Sequence, residues 1–390
     1  MSAPAPDGAI RDRTAIVGIA QTDFAKRLEP SEKALACRVV LDALADAGID
    51  PSEVDGMSSY TMETTDAAEV AKTIGAGDLT FFDQVPYGGG AGPGCVGHLA
   101  MAVATGQCRV GVAWRSRKRG SGVRPWASGM YAQPTTTAAF TRPHGLARPV
   151  DEIAMLMRRY MHEYGATREH LCNVATAVRG MANRNPAAVM HGKRMTRDDY
   201  MAARWISEPL CLFDNCLETD GALACVVVSA ERARDCRQRP ALVHAFGQGM
   251  GAQSHAMTNY WCADPLRGPG HACAEQLYRH SDVRPRDIAC AQLYDAFTPL
   301  VLFSLEAYGF CARGEGAAFT EDGGLELGGR LPVNTSGGGL SEAYVHGFNL
   351  VLEGVRQIRG TSTSQVEGCA ATLVTAGECV PTSALILRRD

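Results

Sequence analysis

The chain has 390 residues, 46% apolar and 42 of them glycine, which is enough for two domains or one large two-lobed α/β unit. A net charge of −4 argues against a nucleic-acid binder, and no uncharged apolar run reaches the roughly eighteen residues that mark a membrane span. The N-terminal stretch from Met1 to Gly8 has no signal-peptide blocks and reads as a short flexible arm, and 14 scattered cysteines without a C-x-x-C pair read as buried free thiols of a cytoplasmic protein.

In chain order, residues 14–19 form an apolar strand. Ser31 then caps a helix whose apolar Cys37, Val40, Leu41 and Leu44 recur at i, i+3, i+4 and i+7, and Gly48 ends it. Residues 50–56 turn into a strand over 57–62, and 81–87 is a third strand. Gly88, Gly89 and Gly90 begin a glycine turn that opens a helix over about 95–106. Residues 109–114 are a buried strand that runs into a basic stretch, Arg115, Arg117, Lys118 and Arg119. The alternation predicts an α/β fold with a mostly parallel sheet. From about 117 to 210 it breaks into a polar loop and two helices, near 150–164 and 167–183, read as an insertion over one sheet edge. Residues 222–228 return to the core.

The second half repeats this order. The strand at 15–18 has a counterpart at 241–244, the turn at 50–55 is echoed at 284–289, and Gly88–Gly90 is echoed by Gly337–Gly339. The strand at 110–114 is matched with the closing strand at 383–387. The chain is therefore divided into 1–235, with the insertion at about 117–210, and 236–390. A pseudo-twofold arrangement would bring the two glycine turns together around a pocket at strand ends.

The second turn lies in the stretch from Asn334 to Gly347, with Gly337, Gly338 and Gly339 in succession. Glycine lets the backbone take φ > 0 and approach a ligand closely. A helix read over about 341–359 would aim its positive end at the same spot, beside Tyr344 and His346. Cys262, His271 and Cys273 come nearest to a metal pattern, with Cys211 and Cys216 weaker still; neither has convincing ligand spacing, so no metal is expected.

Several segments carry a resemblance. Val333-Asn-Thr-Ser-Gly-Gly-Gly-Leu-Ser341 resembles the V-N-P-S-G-G turn before the thiolase histidine. Tyr294-Asp-Ala-Phe297 stands where thiolases have N-E-A-F, and Asp220-Gly-Ala222 where they have D-G-A-A. Glu169-His-Leu171 and Asn185-Pro-Ala187 are similar to a segment of the sterol-carrier thiolases. The chain thus resembles the thiolase-like lipid-transfer family, and within it the actinobacterial steroid side-chain-cleaving aldolases. That implies a thiolase fold: two βαβαβαββ halves in a five-layer αβαβα arrangement.

The departures bear on activity. The turn Gly88–Gly94 holds no cysteine, and Tyr344 and Tyr294 replace the thiolase histidine and asparagine. The resemblance implies retro-aldol cleavage of a steroid 17-hydroxy-20-carboxyl-CoA thioester to a 17-ketosteroid and propionyl-CoA. It also implies a homodimer and a partner subunit with an OB fold and a zinc ribbon, with coenzyme A present only as part of the substrate. Such cleavage needs a base for the hydroxyl proton, donors for the thioester enolate and an acid to protonate it. Tyr294 and Tyr344 are the candidates for the protons, in either order. His346 is a candidate for supplying positive charge and Asp295 for accepting a proton through Tyr294. Gly88, Gly89, Gly90, Gly337, Gly338 and Gly339 are candidates for holding the thioester carbonyl. Arg115, Arg117, Lys118 and Arg119 are candidates for CoA phosphates or an acidic partner. Two rival readings remain: an acyltransferase using Cys95 or Cys379, and a non-catalytic lipid-binding protein.

Overall fold

A computed structural model describes residues 10–122, 138–252 and 262–390. The N-terminal arm and the polar loop at 123–137 lie outside these residues. The first helix, Glu32–Ala47, begins where the Ser31 side chain accepts a hydrogen bond from the Ala34 N–H. It ends at Gly48, whose φ of 74° only glycine adopts readily.

The strands are β1 (Thr14–Gln21), β2 (Gly56–Tyr60), β3 (Phe81–Val85), β4 (Val110–Lys118), a small hairpin of β5 (Trp205–Ser207) and β6 (Leu210–Cys211), β7 (Asp220–Ser229), β8 (Ala241–Gly249), β9 (Cys290–Gln292), β10 (Ala371–Thr375) and β11 (Thr382–Arg388). All but the hairpin are hydrogen-bonded in the order β3-β2-β4-β7-β1-β8-β11-β10-β9. The run β1-β7-β4-β2-β3 is mirrored by β8-β11-β10-β9 and then Val333, which bridges Ala291 in parallel as β3 pairs β2. The two runs meet where Ala15 and Ile16 pair Leu242 and Ala241.

Two expectations change. The sheet is mixed: β2 pairs β3 and β4 in parallel, and β10 pairs β9 in parallel, while β7, β1, β8 and β11 join antiparallel. A strand buried on both faces reads as one apolar run whichever way it points, so the pattern does not encode direction. For the same reason the counterpart of β4 is β10; the closing strand β11 corresponds to β7.

The burial is two-sided. Along β7, Ala222, Ala224, Val226 and Val228 face one core with the first helix, while Leu223, Cys225 and Val227 face the other. The helices Gly92–Ala104 and Phe348–Arg359 pack between the two halves, and Glu32–Ala47 and Gly270–Arg279 cover the outer faces, which gives the five layers. The insertion contributes helices Pro149–Tyr164, Arg168–Ala182 and Arg197–Ala202. Its second helix packs on the turn at Gly338–Glu342 and on the helix Thr298–Ala307, not over a sheet edge as expected. The edge strand β3 leaves Phe82 70% exposed.

Close approach of layers depends on glycine. A Cβ on Gly18 of β1 would lie 2.1 Å from the Ala43 carbonyl oxygen of the first helix. Gly18→Ala therefore forces helix and sheet apart, and we expect it to cost about 1–3 kcal/mol, read as a lower urea midpoint with unchanged secondary structure.

Candidate active site

The helix expected over 341–359 is interrupted. Gly338–Glu342 forms one wide π turn, Ala343 is extended, and the regular helix begins only at Phe348 after Gly347 at φ 76°. His346 itself holds φ 53°, a left-handed conformation rare for a non-glycine residue. Tyr344 and His346 thus stand in a break between two helical segments rather than on a helix. The Thr219 hydroxyl accepts from the Tyr344 N–H at 3.0 Å and lies 3.2 Å from the Tyr344 carbonyl oxygen, bracketing the tyrosine backbone.

Tyr294 follows β9, and its N–H donates to the Thr375 hydroxyl of β10 at 3.1 Å. The two tyrosine hydroxyls meet at 2.5 Å. Both side chains are almost fully buried. Glycine surrounds them: a Cβ would fall 2.6 Å from the Tyr294 hydroxyl at Gly89, 2.6 Å from its ring at Gly347 and 3.2 Å from it at Gly377. The two glycine turns do converge, with Gly88 beside His346 and Gly339 beside the Tyr344 ring.

Asp295 accepts from the N–H groups of Gly339 at 2.6 Å and Leu340 at 3.3 Å, so its carboxyl fixes the glycine turn. Burial pushes its carboxyl up to about 6 against the pull of those donors. The Gly339 N–H is thereby occupied, as are those of Gly337 on the Asn334 carbonyl and Gly90 on the Tyr87 carbonyl, so these three of the six glycine candidates do not offer their N–H to a ligand.

His346 does not supply positive charge. Its Nδ1 lies 2.6 Å from Arg115 Nη2 and its Nε2 3.2 Å from Arg119 Nη1. Burial and these cations depress its pKa far below the ordinary value, so the ring is neutral. The positive charge comes from the basic stretch, which lies on β4 and just beyond it rather than in a solvated loop. Arg115 is fully buried, paired with the equally buried Glu63 at 3.1 Å, and stacks 4.6 Å from the Tyr60 ring. That geometry does not fit an arginine reaching for CoA phosphates. Arg117 faces Glu32 at 3.8 Å, Lys118 Nζ donates to the Leu28 and Pro30 carbonyls, and Arg119 lies 5.1 Å from the Tyr344 ring centroid. Glu63 and Thr219 escaped the sequence reading; an acid just after a buried strand is the faint signal for the first, and the second left none.

Burial raises the pKa of both tyrosines. Arg119 pulls the other way on both; for Tyr344 the Tyr294 hydroxyl and Arg115 do so as well, whereas for Tyr294 the Tyr344 neighbour adds to the rise.

A family model described as "Thiolase C-terminal domain-like" matches residues 247–389. The chain is 48% identical, over 96% of its length and 99% of the relative's, to a 17-hydroxy-3-oxo-4-pregnene-20-carboxyl-CoA lyase of Mycobacterium tuberculosis. It is 49% identical, over 96% and 98%, to a steroid side-chain-cleaving aldolase of Thermomonospora curvata. A solved structure described as an Ltp2-ChsH2(DUF35) aldolase superposes with a TM-score of 0.94 at 48% identity, covering 98% of this chain and 99% of that one. The chain belongs to the thiolase-like family of steroid side-chain-cleaving aldolases.

In this thiolase-like aldolase the thiols are poorly suited to acyl transfer. Cys95 lies buried inside the helix Gly92–Ala104, and burial raises its pKa well above the ordinary thiol value; Cys379 is buried beside Glu378 and raised likewise. Among the described residues no three His, Cys, Asp or Glu side chains converge as a metal site, and no helix is long and apolar enough to cross a membrane. A cavity of about 420 Å³ lies at the insertion, lined by Arg179, Arg194, Leu212 and Phe213 among others, and contains none of the tyrosine-site residues.

Asp295 gives a pH signature. Its folded-state value of about 6 exceeds the roughly 3.9 of an unfolded aspartate, so the folded protein holds the extra proton between those values. Its contribution to stability therefore falls as pH rises through about 4 to 6 and is constant above. Urea midpoints of Asp295→Asn should show less decline across that window than those of the parent.

Proposed function

We propose that this chain catalyses retro-aldol cleavage of a steroid 17-hydroxy-20-carboxyl-CoA thioester, releasing a 17-ketosteroid and propionyl-CoA. The observation that carries the reading is the buried Tyr294–Tyr344 hydroxyl pair, 2.5 Å apart between two glycine turns. Base removal of the 17-hydroxyl proton lets the electron pair left on oxygen form the ketone C=O. The C17–C20 bond breaks, and its electrons move onto the thioester as an enolate. Protonation at C20 completes propionyl-CoA, so one proton passes in net from substrate hydroxyl to substrate carbon and no oxidant or reductant is needed. Two adjoining hydroxyls can take one proton and give another. The N–H groups of Gly88, Gly89 and Gly338 are the remaining candidates for holding the thioester oxygen. The relatives named above, a pregnene carboxyl-CoA lyase and a side-chain-cleaving aldolase, support the substrate class.

The test is a cleavage assay with a 17-hydroxysteroid-20-carboxyl-CoA, followed by mass spectrometry. Stoichiometric ketone and propionyl-CoA without added free CoA are expected. Tyr294→Phe and Tyr344→Phe should each lose about 100-fold or more in kcat, the usual scale of acid–base catalysis. Near-normal rates in both variants, or a covalent acyl adduct on Cys95 or Cys379, would overturn the reading.

A homodimer and a DUF35-type partner belong to the same proposal. The partner reading rests on the Ltp2-ChsH2(DUF35) likeness. The dimer reading rests on β3, which among the described residues is paired on one side only and exposes Phe82, with Tyr87 also exposed five residues on. Light scattering of Phe82→Asp should report a shift toward monomer; an unchanged dimer mass would remove β3 from the interface.

A further inference from the structure

We propose that Glu378 is a positioning residue for Tyr294: wedged in a glycine cradle at the start of the helix Gly270–Arg279, it anchors the loop 376–381 that packs on the Tyr294 ring. This deepens the retro-aldol reading and rests on it.

The loop joins β10 to β11, and one side of it meets the tyrosine site. The Gly377 N–H donates to the Gly89 carbonyl at 2.7 Å, and a Cβ on Gly377 would fall 3.2 Å from the Tyr294 ring. A Cβ on Gly90 would fall 1.9 Å from the Pro381 carbonyl oxygen, so the first glycine turn lies directly on the loop. The Tyr294 N–H is itself tied to Thr375, the last residue of β10. A shift of the loop therefore moves a wall of the Tyr294 ring.

The other side of the loop carries Glu378, which is buried. A Cβ on Gly268 would lie 2.4 Å from one of its carboxyl oxygens, and a Cβ on Gly270 would lie 1.8 Å from the other. Neither oxygen completes a hydrogen bond among the described residues, although the Gly270 N–H at the start of the helix bears on the carboxyl. His271 Nδ1 is 3.8 Å away and lies 3.3 Å from the Gly268 carbonyl oxygen. The void beside Glu378, lined by Leu156, Pro265, Leu266 and Phe303 among others, holds about 10 Å³, room for no more than one water. No steroid thioester fits there, so the side chain acts through its loop and not on the reacting atoms.

A carboxylate in this cradle has no counter-charge. The titratable groups that face it are His271 and Cys273 of the helix Gly270–Arg279, Glu306 of the helix Thr298–Ala307, Tyr308 just beyond that helix, and Cys379 in the loop. Burial lowers the pKa of His271 and raises those of Cys273, Tyr308 and Cys379, so these four are neutral near pH 7, while Glu306 opposes ionisation of Glu378. No lysine or arginine among the described residues bears on the carboxyl, and burial keeps it protonated. Ionised, it would be drawn out towards water and would take the loop off Tyr294 with it.

The experiment measures kcat and KM of the chain with its DUF35-type partner for the parent, Glu378→Gln, Glu378→Ala, Gly270→Ala and the last two combined. Glu378→Gln keeps the shape of the protonated acid and should match the parent. Glu378→Ala should lose about tenfold or more in kcat with KM nearly unchanged, because small misplacements of a reacting group are costly. Gly270→Ala should lose as much in the parent and nothing further beside Glu378→Ala, since the three atoms nearest its new Cβ all belong to Glu378. Should Glu378→Ala fail to fold, Gly270→Ala and Glu378→Gln carry the test. Urea midpoints give a second readout. Above about pH 4.3, the value of an unfolded glutamate, the folded parent keeps a proton that the unfolded chain gives up, so its midpoint should fall with rising pH relative to that of Glu378→Gln. Glu378→Gln as slow as Glu378→Ala would make the ionised carboxylate part of the chemistry and overturn the inference. An unaltered kcat in Glu378→Ala, or midpoints of the parent and Glu378→Gln that run parallel with pH, would overturn it too. Those results leave the retro-aldol reading standing while the parent cleaves its substrate; a parent that does not cleave would overturn the reading beneath.

Discussion

Two buried aromatic hydroxyls can touch only if the backbone around them yields space, and here glycine yields it on several sides. Gly89, Gly347 and Gly377 each lie so close to Tyr294 that a side chain would strike it or press against it. Gly338 and Gly339 do the same around Asp295 and the Tyr344 ring. These glycines come from three loops that are far apart in sequence. The Gly89 turn of the first half meets the Gly347 and Gly377 loops of the second because the two halves pack through their central helices, while both tyrosines belong to the second half. The Gly377 N–H, donating to the Gly89 carbonyl at 2.7 Å, ties the first turn directly to the loop after β10.

Around this contact the protein buries charge, and each charge is held in place by named partners. Arg115 and Glu63 form an ion pair with no exposed surface, and losing one partner of such a pair typically costs about 3–5 kcal/mol. Below the glycine turn, Glu342 accepts from the Ser336 hydroxyl at 2.6 Å and from Asn349 and Asn185 at 2.7 and 3.2 Å, with its carboxyl pushed up to about 7 by burial. Asn185 and Arg179, which donates to Ser341 at 2.9 Å, both come from the insertion. The insertion is therefore the support of the turn that presents Tyr344. A turn that brings one buried hydroxyl into contact with another has to be held rigidly, because such a contact depends on distance.

Much of this was legible in the chain. The repeated order of strand, turn and glycine-rich opening predicted two matching halves, since local propensity and punctuation act over a few residues. Ser31 and Gly48 as helix ends, the two insertion helices, and the pairing of Gly88–Gly90 with Gly337–Gly339 were all readable on that ground. So were Tyr294 and Tyr344 as a couple, because the resemblance put both at positions where thiolases carry ionisable or polar groups.

Other features were decided by tertiary structure. Strand direction and the correspondence of β4 with β10 depend on which strands hydrogen-bond to which across the sheet, and an apolar run looks alike in either direction. The break at residues 343–347 runs against helix periodicity; the left-handed backbone of His346 and Gly347 is held by packing, with the Tyr60 hydroxyl on the His346 carbonyl. The basic run read as a candidate for CoA phosphates or an acidic partner because charge in sequence carries no information about burial; Glu63, brought alongside by the pairing of β2 with β4, makes burying Arg115 possible. The sequence by itself determined which groups could do chemistry. Only the folded chain decided that His346 is neutral, that Asp295 faces the glycine turn, and that Arg119 lies over Tyr344, because protonation state and orientation are set by neighbours that no local pattern names.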